Sequence, residues 1–189
     1  MDLSNDRAFA LLKEVGDGKE GAMRELYRAY SRKIYAYVLN HLRDPGEAEE
    51  IVVDTMHEVW KHPDRFRGQS RLSTWLIGIA RHKMLTALRS REAEHEDVDE
   101  MDDQLPSEEP GTFEVLAQKQ RREGVRHCMD KLSEDHRECL HLVFYEGMSV
   151  AEVAAVQGCP ENTVKTRLFH ARQKIKNCLR LLLESEEGK

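Results

Sequence analysis

The amino-acid sequence predicts an all-α protein of two small helical domains joined by a flexible acidic linker. Its 189 residues allow one ordinary domain or two small ones. Apolar residues recur every three or four positions in both halves, and no stretch alternates convincingly with period two, which favours helices over strands. A strongly acidic segment that contains prolines separates the halves. Together these observations predict a helical module on either side of a linker.

Four apolar stripes at helical spacing predict a small bundle in the first half, residues 1–91. The third predicted helix begins at Asp44-Pro45, where an N-cap carboxylate precedes a proline at the first helical position. The same helix is expected to end at His62-Pro63, because a proline disfavours helix at the residue before it. The stripes are Ala8, Leu11, Leu12 and Val15; Leu26, Tyr30, Ile34, Tyr37 and Val38; Ala48, Ile51, Val52, Thr55, Met56 and Val59; and Leu72, Trp75, Leu76, Ile79, Ala80 and Met84.

Residues 92–112 are predicted to form the linker. Ten acidic residues and no Lys or Arg lie between Glu92 and Thr112, together with Pro106 and Pro110. This segment offers little apolar surface to offset the entropy of ordering the chain. The formal net charge is −6, and without these ten acids it would be +4. The acidic average therefore hides two weakly basic domains, and it does not exclude a nucleic-acid partner.

The second half, residues 113–189, is predicted to be helical as well. A helix is expected from Phe113 to Lys131, and Ser133 is a good N-cap for the next one. Gly147 is suited to the left-handed position at the end of that second helix.

The stretch from Ser149 to Ile175 has the parts of a helix-turn-helix. Ser149 and Glu152 form a capping box before a very short helix, Gly158 allows a tight turn, and Pro160 precedes a long basic helix that runs to about Leu183. Its periodicity turns Val164, Leu168 and Ile175 inward and leaves Lys165, Thr166, Phe169, His170 and Gln173 outward. Such a face fits a major groove, and the alternative is a helical hairpin with a basic, solvated surface.

A second basic cluster follows the segment Phe66-Arg67-Gly68-Gln69-Ser70 and is a candidate single-strand site. Phe66 and Trp75 are possible stacking surfaces, although a core position is the favoured interpretation of Trp75. The cluster consists of Arg71, Arg81, His82, Lys83, Arg89 and Arg91.

Other classes of function are disfavoured. No apolar run approaches the roughly 20 residues of a membrane span, and the N-terminus lacks the parts of a signal peptide, so a cytoplasmic location is expected. The four cysteines lack a C-x-x-C pair and are interpreted as thiols. No phosphate loop, nucleophile elbow or triad is present, so no catalytic residues and no cofactor are predicted. A metal site from His127, Cys128, His136, Cys139 and His141 is disfavoured because their spacing matches no zinc motif.

Two strings resemble the conserved regions of extracytoplasmic-function sigma factors. Residues Glu47–Trp60 and Phe66–Arg81 are similar to region 2, and Met148–Arg172 is similar to region 4. The resemblance covers roughly residues 5–91 and 113–183 and implies a bacterial transcription initiation factor that gives core RNA polymerase its promoter choice. The main rival is a one-component regulator with a helical sensing domain, which would bind duplex operators without polymerase.

The resemblance also implies partners and site residues. Core polymerase would meet region 2 through the clamp helices of its largest subunit and region 4 through the flap of its β subunit, and an anti-sigma factor is expected to control the protein. The implied polymerase-binding residues are Glu49, Glu50, Asp54 and Glu58. The implied minus-ten residues are Phe66, Arg67, Gln69, Ser70, Arg71, Trp75, Arg81 and His82. The implied minus-thirty-five residues are Asn162, Lys165, Thr166, Arg167, Phe169, His170 and Arg172.

This sequence departs from the usual family pattern at several DNA-facing positions. The family commonly has an acid where Gln69 stands, an aromatic residue at Leu72, Asn at His82 and often Arg at His170. The minus-ten preference of other members therefore does not transfer to this chain.

Overall fold

The computed structural model describes residues 3–94 and 123–187. The chain divides into two compact units, Met1–Val98 (unit 1) and Asp99–Lys189 (unit 2). The described residues form helices and turns and no strand, which confirms the all-α prediction. The division falls within the predicted linker 92–112, of which residues 92–94 belong to a helix and the remainder lies outside the described residues.

Unit 1 is a bundle of four α-helices in which a short 3₁₀ turn follows the third. Ser4 caps the first helix by accepting a hydrogen bond from the Arg7 amide, and Asp44 caps the third by accepting one from the Glu47 amide at 3.0 Å. The elements are α1 (Asn5–Gly16), α2 (Glu20–Leu42), α3 (Pro45–Lys61), the 3₁₀ turn (Pro63–Arg65) and α4 (Leu72–Glu94).

The core of unit 1 follows the predicted stripes closely. Every residue named for the stripes of α1, α2 and α3 is buried. On α4 the prediction is less accurate, since Ile77 is buried whereas Ile79 is half-exposed. Both α2 and α3 pack against α4, which widens its buried face beyond a single stripe.

Two ion-pair groups tie the helices of unit 1 together at the surface. Arg7 on α1 forms a bidentate pair with Glu25 on α2, with the closer contact at 2.7 Å. Arg91, near the end of α4, pairs with Glu47 and lies 3.6 Å from the carboxylate of Asp44. The end of α4 is therefore held against the start of α3.

Unit 2 contains the helical residues 123–130 (α5), α6 (Glu134–Phe144), α7 (Val150–Gln157) and α8 (Glu161–Glu187). The predicted helix from Phe113 to Lys131 is observed over residues 123–130, and its first part lies outside the described residues. The last helix continues to Glu187, four residues beyond the predicted end.

The predicted turn signals of unit 2 are all confirmed. Gly147 has φ +63°, the left-handed conformation predicted for it, and the Met148 amide donates to the Leu142 carbonyl at 2.9 Å across the end of α6. Ser149 and Glu152 make both hydrogen bonds of the capping box that opens α7. Gly158, with φ +65°, closes α7 in the left-handed conformation.

The interpretation of all four cysteines as thiols is wrong for two of them. Cys128 on α5 and Cys178 on α8 form a disulfide, with Cα atoms 5.8 Å apart and a separation of 50 positions in sequence. The packing of α5 on α8 creates this proximity, and spacing rules cannot reveal it. Cys139 and Cys159 are free, and both Cys128 and Cys139 are buried.

Candidate nucleic-acid interface

The acidic side chains implied to bind polymerase occupy the exposed side of α3. Glu49 and Glu50 are exposed and make no ion pair among the described residues. Asp54 lies 3.8 Å from Lys83 on α4, and Glu58 pairs with Arg65 in the 3₁₀ turn. The first two carboxylates are thus available to a basic partner, whereas the other two are partly neutralised within unit 1.

The segment of residues 66–70, which we call the 66–70 loop, connects the 3₁₀ turn with α4. Gly68 has φ +69°, so the backbone bends there in a conformation that favours glycine. The neighbouring side chains of Arg67 and Gln69 are exposed. Ser70 is half-buried and its hydroxyl donates to the Arg71 carbonyl at 3.2 Å.

Phe66 does not offer the predicted stacking surface. Its side chain is only 4% exposed and packs between Phe9 of α1 and Trp75 of α4, with ring centroids 5.1 Å and 5.5 Å away. The ring contributes apolar surface to the core, which is more favourable than leaving it in water. A base has no access to Phe66 in this conformation, and the half-buried Trp75 belongs to the same aromatic cluster.

The remaining basic residues implied for the minus-ten site lie along α4. Arg71 and Arg81 are half-exposed and each has an interaction partner, while His82 is exposed. Residues 71 and 82 are about three helical turns apart, a separation of roughly 16 Å. The structure thus places the loop side chains together and the Arg81–His82 pair further along the helix.

The exposed side of α8 contains most of the residues implied for the minus-thirty-five element. We call these exposed residues the α8 face: Asn162, Lys165, Thr166, Phe169, His170 and Arg172. Val164, Leu168 and Ala171 point the other way and are buried, so packing fixes the rotation of the helix. The predicted outward residues are therefore confirmed, as are the inward positions of Val164 and Leu168, whereas Ile175, also predicted to point inward, is half-buried.

Several members of the α8 face already have partners within unit 2. The Thr166 hydroxyl donates to the Asn162 carbonyl at 2.9 Å, and Lys165 lies 3.9 Å from Glu161 one turn earlier. The guanidinium of Arg172 stacks over the exposed ring of Phe144 on α6, 5.4 Å from its centroid. These surface contacts are weak and leave the charged groups accessible.

Arg167 does not lie on the α8 face. It is half-buried, and its guanidinium binds Asp135 at 2.5 Å and the Gln157 side-chain carbonyl at 2.9 Å. Gln157 in turn donates to the buried carboxylate of Glu138 at 2.6 Å. The structure thus assigns Arg167 to a polar network that joins α6, α7 and α8.

Reasoning from the sequence missed two residues beside these sites. His136, at the start of α6, lies with its ring centroid 6.4 Å from that of His170 on the α8 face. Phe9 contacts the 66–70 loop, although it falls outside the buried stripe of α1. A large apolar residue off the main stripe was the available signal for Phe9, whereas His136 has no signal in the local sequence.

The local environment changes the pKa of two side chains in unit 2. Burial and then the nearby charges of Lys174, His170 and Arg167 lower the pKa of His136. Burial raises the pKa of the Cys139 thiol to about 11, so this cysteine is protonated and unreactive near neutral pH. Lys174 and Arg167 thus place positive charge near His136, and Arg167 is itself paired with Asp135.

Residues 3–94 and 123–187 contain no group of three or more His, Cys, Asp or Glu side chains arranged to hold a metal ion. None of the helices in these two ranges combines the length and the apolarity needed to cross a bilayer.

Both units match known protein families. Residues 26–94 match the family model for sigma-70 region 2, and residues 122–175 match the model for sigma-70 region 4. Two sigma-70 regions in this order define a sigma-70-type transcription initiation factor. SigL, an ECF RNA polymerase sigma factor of Mycobacterium tuberculosis strain Erdman, is 30% identical over 150 residues, which cover 79% of this chain and 84% of SigL. The chain belongs to the extracytoplasmic-function (ECF) family of RNA polymerase sigma factors.

Other relatives agree with this assignment. SigK of M. tuberculosis strain H37Rv, also an ECF sigma factor, is 27% identical over 179 residues, covering 90% of this chain and 92% of SigK. The sigma factor RpoE of Bartonella quintana, solved with the anti-sigma factor NepR, has a TM-score of 0.66 at 24% identity and covers 83% of this chain and 96% of its own. CnrH, solved with the cytosolic domain of CnrY, has a TM-score of 0.66 at 22% identity, covering 93% and 98%. The two solved structures show that the fold is shared.

Proposed function

We propose that this chain binds core RNA polymerase and directs it to specific promoters, with unit 2 binding the duplex minus-thirty-five element and unit 1 binding the minus-ten element as its strands separate. The observation that carries the proposal is the α8 face, an exposed basic surface on the second helix of a helix-turn-helix in a chain of this family. No chemical step is required of the protein itself.

The α8 face has the chemistry for duplex recognition. Lys165 and Arg172 can donate to phosphates or to guanine, and Phe169 can contact a thymine methyl group. His170 replaces a residue that is often Arg in the family, and it offers fewer donors in a less rigid geometry. We therefore assign direct reading to Lys165, Phe169 and His170, and a supporting structural role to Arg167.

Unit 1 would act on the separated strands. Arg67 and Gln69 project from the 66–70 loop with no core packing, which leaves their polar groups free to bind an extruded base and the adjoining phosphates. Glu49 and Glu50 would bind the clamp helices of the largest polymerase subunit. Melting would then be driven by the binding energy of unpaired bases, without ATP or a metal.

The experiment that tests the proposal is run-off transcription with purified core polymerase on a pool of genomic promoters. The unaltered chain should redirect initiation to a small set of promoters, and the proposal fails if it binds core polymerase without changing the start sites. Lys165→Ala should weaken binding to the selected upstream duplex by about tenfold, because it removes one contact to a base or a phosphate. Arg180→Ala removes the same charge about four turns further along α8 and should have little effect.

The 66–70 loop is tested in the same assay. Arg67→Ala should leave closed complexes intact and reduce strand opening, measured by permanganate reactivity of unpaired thymines. Lys13→Ala, which removes an exposed charge from α1, is the matched control. Equal opening by the two variants would exclude Arg67 from the single-strand site.

The proposal includes control by an anti-sigma factor and a cytoplasmic location, where polymerase and promoters are found. The solved relatives RpoE and CnrH are described with NepR and with the cytosolic domain of CnrY, which supports a partner of that kind here. Purification of the tagged chain from its native cells should yield a second protein that blocks run-off transcription when added back. Full activity of the chain in those cells without any such inhibitor would contradict this part.

A further inference from the structure

Helix α1 packs against the segment that connects α3 with α4, and it does so at two points. Gly16, at the end of α1, lies against Pro63, because a β-carbon added to Gly16 would be 3.6 Å from the proline ring. Phe9 lies seven residues earlier on α1 and contacts Phe66 in the 66–70 loop, with ring centroids 5.1 Å apart. Residues seven apart share one face of a helix, so a single face of α1 supports both ends of the connection.

Phe9 has a position unlike that of the other large apolar residues of α1. Leu11, Leu12 and Val15 are buried in the core, whereas the Phe9 side chain is 43% exposed. Its inner side covers Phe66, which packs in turn on Trp75. The three rings thus form a continuous stack from α1 through the loop to α4.

The backbone of the loop lies directly against the Phe9 ring. A β-carbon added to Gly68 would be 2.6 Å from both Cε2 and Cζ of Phe9, closer than real side chains approach one another. Gly68 also has φ +69°, which a side chain would strain. The Phe9 ring therefore occupies the space on one side of Gly68, and the exposed side chains of Arg67 and Gln69 flank that contact.

We propose that Phe9 is a positioning residue for single-strand recognition: its ring sets the bend of the 66–70 loop at Gly68 and thereby the direction of Arg67 and Gln69. This inference rests on the proposed function of unit 1. A loop that carries a recognition site binds well only when its backbone is held in the productive shape by rigid elements. Phe9 supplies that support from outside both α3 and α4.

The test compares Phe9→Ala with Phe9→Leu in transcription by the holoenzyme. The readout is the ratio of initiation on a selected promoter to initiation on versions with single substitutions in the minus-ten element. We expect Phe9→Ala to lower this discrimination ratio by about tenfold, the scale of one lost base contact, and Phe9→Leu to retain most of it by filling the same space. A variant with only a general structural defect would initiate less at every promoter and would leave the discrimination ratio unchanged.

A second variant changes the loop residue of the same contact, Gly68. Gly68→Ala should displace Phe9 and also lower the ratio, and the double variant should lose less than the two single losses combined, because both perturb one contact. Tyr27→Ala removes another aromatic residue that is 43% exposed, on α2, and should leave the ratio unchanged.

Two results would overturn the inference. If Phe9→Ala keeps the discrimination ratio of the parent, Phe9 does not position the loop. If Phe9→Leu loses discrimination as fully as Phe9→Ala, the ring itself contacts the DNA and the role is not positioning. Failure of the unaltered chain to redirect core polymerase would be a failure of the proposed function, and it is recorded before any variant is compared.

Discussion

The two units of this sigma factor are stabilised by different means. Among the residues that the structure describes, eleven of the twelve largest fully buried side chains belong to unit 1, and Leu142 belongs to unit 2. Unit 2 instead has a disulfide between α5 and α8 and a polar network around Gln157 and Arg167. Small domains bury too little apolar surface to rely on it alone, so cross-links contribute a larger share of their stability.

The candidate DNA sites differ in the same way. In unit 1 the candidate side chains extend from a loop that an aromatic stack supports, whereas in unit 2 they occupy one face of a regular helix. The position of a helix face follows from periodicity, but the shape of a loop follows from its distant neighbours. We therefore expect residues that support the site to matter more for specificity in unit 1 than in unit 2.

Reduction of the Cys128–Cys178 disulfide should cause the largest difference in stability between the two units. Opening a bridge whose two cysteines lie 50 positions apart in sequence should destabilise unit 2 by about 4 kcal/mol in the chain-entropy description. Both tryptophans, Trp60 and Trp75, lie in unit 1, so their fluorescence reports that unit, while helical circular dichroism reports both. Reductant should lower the midpoint of unfolding for the part of the circular-dichroism signal that comes from unit 2. It should leave the midpoint measured by tryptophan fluorescence unchanged.

The disulfide prediction has a matched control. Cys128→Ser should reproduce the effect of reductant, and Cys159→Ser, at a free and half-exposed cysteine, should not. An equal shift of both transitions on reduction would contradict the view that the units are stabilised separately.

The next largest effect concerns Arg167. Arg167→Ala leaves Asp135 without its ion-pair partner and removes one of the donors to the Gln157 side-chain carbonyl, so we expect a loss of about 2 kcal/mol in the unfolding free energy of unit 2. Lys165→Ala, two residues earlier on the α8 face, should change stability by less than about 0.5 kcal/mol while weakening DNA binding. Denaturant unfolding followed by circular dichroism measures both. Equal stability of the two variants would contradict the structural role of Arg167 and would leave direct contact with DNA as its expected role.

The smallest effect is the pH dependence caused by His136. Its pKa is lowered in the folded protein, so the unfolded chain takes up this proton more readily, and stability should fall as the pH drops below the ordinary value of 6.5. When the pH is lowered from about 7.5 to about 5.5, the midpoint of unfolding of unit 2 should decrease more in the parent than in His136→Asn. His57→Asn, an exposed substitution in unit 1, should follow the parent. The same pH response in His136→Asn as in the parent would contradict the assignment.

Much of the fold could be predicted because it depends on local signals. Three kinds of feature require only residues close in sequence: the apolar stripes of α1 to α3, the N-cap at Asp44, and the helix ends at Gly147 and Gly158. The outward set on α8 followed from the same periodicity. These features depend on helix geometry, which sequence spacing encodes directly.

The errors in the prediction have a common physical origin. Phe66 looked like a free stacking ring, but Phe9, 57 positions earlier in sequence, covers it. Arg167 looked like a phosphate donor, but Asp135 and Gln157 bind it. Cys178 looked like an isolated thiol, but Cys128 lies beside it. Each partner is distant in sequence, and no local pattern identifies it.

The position of Asp44 has a consequence for how unit 1 would respond to its surroundings. One carboxylate both starts α3, through the Glu47 amide, and faces Arg91 in the last turns of α4. A bound protein that displaces the first turn of α3 would therefore also displace the far end of α4, because the carboxylates of Asp44 and Glu47 both contact Arg91.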